Sequence, residues 1–326
     1  MTIKRLGVFP IIALLIVLAL PLTALAADRV RIGTAGKGAW EAAVPWLGQQ
    51  TGIFAKHDID VEVFYTDGST KALEGVIGGS IDVAIGVNVA NFIGAVVKGA
   101  PVVMICGIFT GLSDTLWYVR ADNPIRSVKD LTENSTVGYG TAGSYNQIAG
   151  LALLDQAGAK SKMVAAGSSS AVLTLVMSGQ IDVGFNGNGL MGVPEFQKNE
   201  VRIIARGDDI EAFRGLTVRG FVTSKSLLAE HRDVLLRFVQ AYQETIDWMY
   251  KDQRAVEMYA KEFNLPPDEI ARLMPVFYPK SAFGIQPVNG IDRSVEQGLQ
   301  FKRISKQPTD EQLAAAFDII WTPEQK

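Results

Sequence analysis

Short apolar runs alternate with segments of helical periodicity in the first part of the chain, from Arg29 onwards. The runs VRIG (30–33), VEVFY (61–65), IDVAIG (81–86) and PVVMICGIF (101–109) are rich in β-branched residues and predict strands. Apolar residues between these runs recur at helical spacing and predict helices. Apolar strands joined by helices are typical of a parallel sheet that is covered on both faces. We therefore predict an α/β unit.

The same order of elements begins again after Ser135. The runs TVGYG (136–140), KMVAAG (162–167), IDVGFN (181–186) and VRIIA (201–205) predict four more strands, and the segments between them predict helices. The second part of the chain is therefore predicted to repeat the α/β unit of the first.

Two phrases recur between these halves. GGSIDVAIGVN (78–88) returns as SGQIDVGFNGN (178–188), and GTAG occurs at 33–36 and again at 140–143. Both phrases keep their order and fall on matching predicted elements, so chance is a poor explanation. We interpret the halves as two copies of one βαβαβ plan.

Two extended segments follow the two halves. DTLWYVRADNPIRSVKDL (114–131) and FRGLTVRGFVTSKSL (213–227) would let the chain leave one lobe, build the other and return. A long amphipathic helix is predicted after the return, over 227–251. We predict an α/β fold of two lobes joined by a two-crossover hinge. Lobe 1 is expected over residues 27–118, completed by 219–326, and lobe 2 over residues 119–218.

The first residues have the pattern of a secretory signal peptide. Two basic residues precede an apolar run, which Pro21 breaks, and small residues around Ala26 suit a cleavage site. A membrane anchor is disfavoured, because the run is short for a span of about 30 Å. The only cysteine, Cys106, lies far from the cleavage site, so no lipid anchor is expected. Residues 1–26 are therefore predicted to direct export to the periplasm.

The charge composition argues against a nucleic-acid partner. The chain has 31 basic and 34 acidic residues, a net charge of −3, and no basic stripe, so nucleic acid is not an expected partner. A single cysteine permits no internal disulfide, and stability must come from packing.

A glycine-rich segment, GYGTAG (138–143), matches G-x-G-x-x-G between a predicted strand and a predicted helix. A dinucleotide site also needs an acidic residue at the end of the next strand, and none stands there. We interpret the glycines as giving a ligand access to backbone N–H groups at a helix N-terminus, where the helix dipole is positive. Ser144 and Gln147 predict a capping box at the same helix start.

Residues for metal or covalent chemistry are sparse. His57 and His231 are the only histidines, and neither has a ligand partner at helical spacing. Cys106 lies in an apolar strand, where a buried structural thiol is expected. We predict no catalytic residue, metal site or cofactor.

The repeated aspartates and asparagines differ in position along their strands. Asp82 and Asp182 stand at strand starts, whereas Asn88 and Asn188 stand at or beyond the carboxyl ends. Ligands of open α/β sheets bind outside the carboxyl ends of strands. We therefore expect the asparagines to face the ligand and the aspartates to affect folding.

The chain resembles a known family in five segments. They are GIFAKHDIDVEV (52–63), LEGVIGGSIDVAIG (73–86), residues 118–144, LVMSGQIDVGF (175–185) and the helical residues 235–263. On these segments the chain is similar to the periplasmic solute-binding proteins of nitrate-, sulfonate- and taurine-type ABC importers. That family is related to binding proteins for a thiamine pyrimidine precursor. The resemblance covers essentially the whole chain after residue 26.

The resemblance implies a type II-like periplasmic binding protein fold whose two lobes close on one small molecule. The protein would deliver that solute to a permease and ATPase in the inner membrane, would be monomeric and would not be an enzyme. Ligand contacts are expected in the loops after strands and at the start of the first lobe 2 helix. With the loop residue Gly111, the expected ligand-binding residues are Lys37, Gly38, Trp40, Asn88, Val89, Gly111, Thr141, Gly143, Ser144, Asn186 and Asn188.

The ligand is expected to carry an anionic head. Many relatives have a tryptophan and an acidic residue where this chain has NGNG (186–189), so the acid that would pair with an ammonium group is missing. We predict a sulfonate or carboxylate held at Thr141–Ser144, with the body of the ligand against Trp40. The alternatives are an aromatic carboxylate or a neutral heterocycle held by Asn88 and Asn188.

Two other functions use the same fold. One is an enzyme of a pyrimidine-precursor or menaquinone pathway, which would be expected to lack an export signal and to need a reactive cluster. The other is a sensor module that presents its ligand to a membrane receptor.

Overall fold

The computed structural model describes residues 27–35, 38–66, 68–142, 144–187 and 194–323. The expected signal peptide, residues 1–26, lies outside these ranges. Within them, no helix is long and apolar enough to cross a membrane.

The described residues form strands and helices in alternation. The strands are β1 (Asp28–Ala35), β2 (Ile59–Thr66), β3 (Val83–Asn88), β4 (Val102–Thr110), β5 (Leu116–Arg120), β6 (Thr136–Tyr139), β7 (Lys162–Ala165), β8 (Val183–Asn186), β9 (Val201–Arg206), β10 (Thr217–Ser224) and β11 (Phe283–Gln286). The helices are α1 (Trp40–Gln50), α2 (Ile53–Lys56), α3 (Ser69–Ile77), α4 (Val89–Val97), α5 (Tyr145–Ala157), α6 (Ser169–Met177), α7 (Pro194–Gln197), α8 (Lys225–Glu230), α9 (Arg232–Lys251), α10 (Arg254–Phe263), α11 (Pro267–Phe277), α12 (Ile291–Gln300) and α13 (Asp310–Ala314).

The strands form two sheets with one plan. The first sheet has the order β11-β4-β10-β3-β1-β2, and the second has the order β7-β6-β8-β5-β9. In each, the first strand of the unit lies between the second and the third, with both pairs parallel. The prediction of two copies of one α/β plan is confirmed.

The sheets are mixed rather than wholly parallel. β10 runs antiparallel between β3 and β4, and β5 runs antiparallel between β8 and β9. The strands predicted from the apolar runs share one direction within each sheet, and the two inserted strands, which the sequence predicted only as extended crossing segments, run against them. Each inserted strand is supplied by an extended segment that crosses between the sheets.

The chain changes sheet at 111–115 and returns at 207–216. The two crossing segments are hydrogen-bonded to each other. Gly111 N donates to Leu216 O at 2.9 Å, and Gly207 N donates to Thr115 O at 2.8 Å. The expected lobe boundaries, after residues 118 and 218, divide β5 and β10. The change of sheet comes earlier because both strands are paired along their length within one sheet.

The repeated aspartates connect equivalent strands. Asp82 Oδ2 accepts a hydrogen bond from the backbone N–H of Arg31 in β1, at 2.8 Å. Asp182 Oδ2 accepts from the backbone N–H and the hydroxyl of Thr136 in β6, both at 2.8 Å. Each aspartate thus ties the start of the third strand to the first strand of its sheet, which agrees with a structural role.

The predicted helix over 227–251 is two helices, α8 and α9, separated at His231. The apolar stripe of α9 is core, as expected. Phe238 and Tyr242 are fully buried, and the Tyr242 ring meets the Phe221 ring edge to face with centroids 4.8 Å apart. Helix α9 therefore covers the first sheet through β10.

Candidate ligand-binding site

A cavity of about 470 Å³ lies between the two sheets. Its volume is within the usual range of small-molecule sites. The first sheet and its helices supply Thr34, Glu41, Thr66, Ser69, Gly86 and Arg219, among others. The second sheet and its helices supply Thr141, Ser144, Tyr145, Asn146, Ser168, Ser170 and Asn186, among others. A bound molecule would therefore contact both halves at once.

Three helices begin at this cavity. The first residues of α3, α5 and α6 line it, and each helix has at least nine residues. The N-terminus of a helix carries about half a positive charge and unpaired N–H groups. Ser144, which is 4% exposed, has a hydroxyl with no partner among the residues that the structure describes. This part of the wall suits an anion or another hydrogen-bond acceptor.

The capping box predicted for α5 does not form. Ser144 occupies the N-cap position without a side-chain hydrogen bond to the helix. Gln147 instead donates to the Tyr139 hydroxyl at 3.2 Å and accepts from Arg303 Nη2 at 2.7 Å.

An ion-pair cluster occupies one wall of the cavity. Arg219 Nη2 lies 2.9 Å from Asp114 Oδ2, and Arg219 Nη1 lies 3.3 Å from Glu41 Oε2. All three side chains are at least nine-tenths buried. The guanidinium also faces the rings of Phe109 and Tyr145, at 4.2 and 5.1 Å from their centroids. Two carboxylates thus share one guanidinium.

Burial governs the protonation of this cluster. It raises the pKa of the Glu41 carboxyl, an effect that Arg219 opposes and Asp114 reinforces. It also raises the pKa of the Asp114 carboxyl, again against the attraction of Arg219. Burial alone would lower the pKa of Arg219, but Asp114 and Glu41 outweigh it and raise that pKa. The guanidinium therefore stays charged.

Glu41 presents one oxygen that the cluster does not use. Its Oε1 atom is buried and has no hydrogen-bond partner in the described part of the chain, and the same holds for Arg219 Nε. Gly86, at a φ of 72°, leaves room for Glu41, because a Cβ there would lie 3.1 Å from Glu41 Oε1. An unpartnered acceptor oxygen thus lies buried against Gly86.

A family comparison identifies the chain. The family model described as NMT1/THI5 like matches residues 42–256, which is more than half of the 326 residues. The chain belongs to the NMT1/THI5-like family. The resemblance inferred from the sequence is therefore confirmed. No curated protein matches the chain.

Solved structures share the fold of this NMT1/THI5-like protein. The alkanesulfonate-binding protein SsuA from Xanthomonas axonopodis pv. citri, bound to MOPS, has a TM-score of 0.72 at 17% identity, over 89% of this chain and 97% of that chain. The aliphatic sulphonate binding protein SsuA from Escherichia coli has a TM-score of 0.66 at 18% identity, over 87% and 91% of the two chains. The nitrate-binding protein NrtA from Synechocystis PCC 6803 has a TM-score of 0.68 at 12% identity, over 88% and 84%. The fold is that of periplasmic binding proteins.

The expected site residues divide into three groups. Thr141, Ser144 and Asn186 line the cavity. Lys37, Gly143 and Asn188 lie outside the described residues. The remaining five do not line the cavity, namely Gly38, Trp40, Asn88, Val89 and Gly111.

Trp40 belongs to the core. Its side chain is fully buried, and its ring meets the Tyr259 ring edge to face with centroids 5.0 Å apart. The expectation that Trp40 supports the body of the ligand therefore differs from the structure. The residue begins α1, and α10 covers it, a packing that local sequence does not reveal.

Asn88 is a helix cap rather than part of the cavity wall. Its Oδ1 accepts from the backbone N–H of Asn91 at 3.1 Å, at the start of α4. Its Nδ2 donates to Val218 O in β10 at 3.3 Å. Both ends of the amide are thus engaged within the first lobe. In the second sheet Asn186, at the end of β8, lines the cavity. Its position in the repeat corresponds to Gly86, whereas that of Asn88 corresponds to Asn188.

The sequence reasoning missed Glu41, Asp114 and Arg219. One signal in the sequence could have indicated Arg219. It is the only charged residue in the strand TVRGFVTS (217–224), which is buried over almost its whole length. A charge in such a strand requires a partner. The partners themselves were not evident, since Asp114 is 105 positions away from Arg219.

Reactive groups elsewhere are few. Within the described ranges, no group of three or more histidine, cysteine, aspartate or glutamate residues could hold a metal ion. Cys106 is fully buried in β4, and burial raises the pKa of its thiol. Its position agrees with the interpretation of Cys106 as a structural thiol.

Proposed function

We propose that the chain is the substrate-binding component of an ABC importer, which captures a small organic solute between its lobes. The observation that carries the proposal is the cavity whose polar wall comes from both sheets. A membrane permease and its ATPase would receive the solute. Export to the periplasm through residues 1–26 and a monomeric state belong to the same proposal.

The crossing segments 111–115 and 207–216 serve as the hinge in this proposal. Opening would separate the two walls of the cavity and admit the solute, and closing would bring both walls onto it. The rims are already close, because a Cβ on Gly68 of the first half would lie 3.5 Å from Thr141 Oγ1 of the second. A solute that bridges the walls would therefore favour the closed arrangement.

We propose an anionic head, a sulfonate or a carboxylate, for the solute. It would lie where α3, α5 and α6 begin, with the hydroxyls of Ser69, Thr141 and Ser144 as donors. The unpartnered and buried hydroxyl of Ser144 supports this position. Binding without catalysis is proposed, because hydroxyls, amides and helix N-termini dominate the wall.

A thermal-shift measurement tests the proposal. Propane-1-sulfonate and propionate should raise the unfolding temperature of the purified protein, since a ligand at about 100 times its dissociation constant adds about 2.7 kcal/mol of stability. Thr141→Phe, which fills the cavity, should abolish the shift. Thr174→Phe, at an exposed position on α6, is the matched control and should retain it. Unmoved melting curves with both anions would refute the anionic head.

A further inference from the structure

Helices α12 and α5 are both hydrogen-bonded to the second crossing segment, 207–216. Gln297 of α12 donates through Nε2 to Ala212 O at 2.9 Å. Gln156, near the end of α5, donates through Nε2 to Asp209 O at 2.7 Å. One helix of each lobe is therefore attached to the same connection between the lobes.

Helix α12 and the residues that follow it belong to the first lobe. Val295 and Ile304 are buried in one apolar cluster with Phe92 of α4. A Cβ on Gly94 of α4 would collide with the carbonyl oxygen of Arg303, so the two backbones pack closely. The backbone of Arg303 is thus held to the first lobe.

The side chain of Arg303 reaches across to the first turn of α5, in the second lobe. Its Nη2 donates to Gln147 Oε1 at 2.7 Å. Gln147 Nε2 donates in turn to the Tyr139 hydroxyl at the end of β6, at 3.2 Å. Arg303 Nε is buried and has no hydrogen-bond partner among the residues that the structure describes. One amide thus joins a guanidinium of the first lobe to the second sheet.

The contacts between α12 and α5 follow an order that leads away from the crossing segment. Gln300 donates to Asp155 Oδ2 at 3.2 Å, next to Gln156, and Arg303 comes next, at Gln147. Gln147 stands nine positions before Gln156. At a rise of about 1.5 Å per residue it lies about 13 Å nearer the start of α5, where the helix meets the cavity. A rotation about the crossing segment would therefore separate Arg303 from Gln147 while Gln156 stays attached.

We propose that Arg303 and Gln147 form a latch that holds the two lobes closed and thereby strengthens retention of the solute. The inference rests on the proposed binding function and deepens it. Neither residue lines the cavity, so both are positioning residues. The latch exists only in the closed arrangement, and its free energy adds to that of the solute in favour of closure. Apparent affinity rises with the fraction of molecules that are closed.

The chemistry of the pair suits a contact that must also open. Gln147 is a neutral acceptor, whereas a carboxylate at this position would form a charge-assisted pair that is roughly twice as strong. Opening exposes the guanidinium and the amide to water, which satisfies both again. The pair therefore favours closure without preventing release.

Distance measurements without solute test the latch by itself. Spin labels on Glu74→Cys in α3 and Thr174→Cys in α6, both at exposed positions, report the separation of the lobes by pulsed electron paramagnetic resonance. Cys106 is fully buried and should take up no label. Arg303→Met keeps the apolar stem and removes the donors, so it should shift the labelled protein to longer distances. Gln147→Glu should shift it to shorter ones.

Calorimetry with propane-1-sulfonate tests the effect on retention. Arg303→Met should weaken binding by about threefold to tenfold, the range expected for one hydrogen bond that solvent partly screens. The matched control is Lys302→Met, which loses the same charge at the neighbouring exposed position. It should change neither the distances nor the affinity, and urea unfolding shows that both variants are folded.

The outcomes separate the latch from the binding function. Distances that Arg303→Met leaves unchanged, or that Lys302→Met shifts equally, would overturn the latch whatever binds. Longer distances in Arg303→Met, with no binding of propane-1-sulfonate by the wild type, would support the latch and refute the proposed anionic solute. Longer distances with an unchanged affinity for propane-1-sulfonate would overturn the role of the latch in retention.

Discussion

The Arg219 guanidinium lies 2.9 Å from the Asp114 carboxylate, inside the protein and beside both segments that join the sheets. Asp114 belongs to the first crossing segment, and Arg219 follows the second by three residues. Their ion pair therefore fastens the two connections to each other at the base of the cavity. Glu41, from the first helix, adds a third member at its edge.

Loss of Asp114 should destabilise the fold strongly. Asp114→Ala leaves the buried guanidinium with Glu41, at 3.3 Å, as its remaining carboxylate partner. Removal of one member of a buried ion pair costs about 3–5 kcal/mol. Urea denaturation measures the free energy of unfolding. Asp122→Ala, which removes an exposed aspartate paired with Arg120, is the control and should leave the free energy of unfolding nearly unchanged, because solvent screens this pair. Similar losses in the two variants would show that the buried pair is not structural.

The repeated aspartates should be needed for stability and not for binding. Asp182→Ala removes the acceptor for the backbone N–H and hydroxyl of Thr136, so we expect a loss of about 1–3 kcal/mol. Asp82→Ala should behave alike through Arg31. The exposed Asp60→Ala is the comparison in the same urea experiment. A variant with native stability and weakened probe affinity would reverse this assignment.

The two asparagines should separate stability from affinity. Asn88→Leu removes the cap of α4 and should cost about 0.5–2 kcal/mol of stability while probe affinity is unchanged. Asn186→Leu, in the cavity wall, should lower probe affinity. Urea unfolding measures the stability of each variant, and calorimetry measures its affinity for the probe. Weakened binding by a stable Asn88→Leu protein would return Asn88 to the ligand site.

The order of strands and helices could be predicted from the sequence, because each element is formed by residues that are close together along the chain. The phrase ending at Asn88 predicted β3, and its copy predicted β8, since both combine a turn, an apolar strand and a helix start. The direction of β10 was not readable. It depends on pairing with β3 and β4, more than a hundred residues earlier in the chain.

The site was only partly predictable for the same reason. Thr141 and Ser144 were predicted from a local signal, a glycine-rich helix start, and both line the cavity. Trp40 and Asn88 were misplaced because their burial depends on α10 and β10, which are distant in sequence. Glu41 forms an ion pair with Arg219. The two residues are far apart in sequence, so no local pattern indicates that they meet.

A crystal structure of the protein with propane-1-sulfonate tests the central claim most directly. We predict the probe in the cavity between the sheets, with a sulfonate oxygen within about 3.2 Å of the Ser144 hydroxyl. An empty cavity at saturating probe, or a probe bound elsewhere on the surface, would contradict the account.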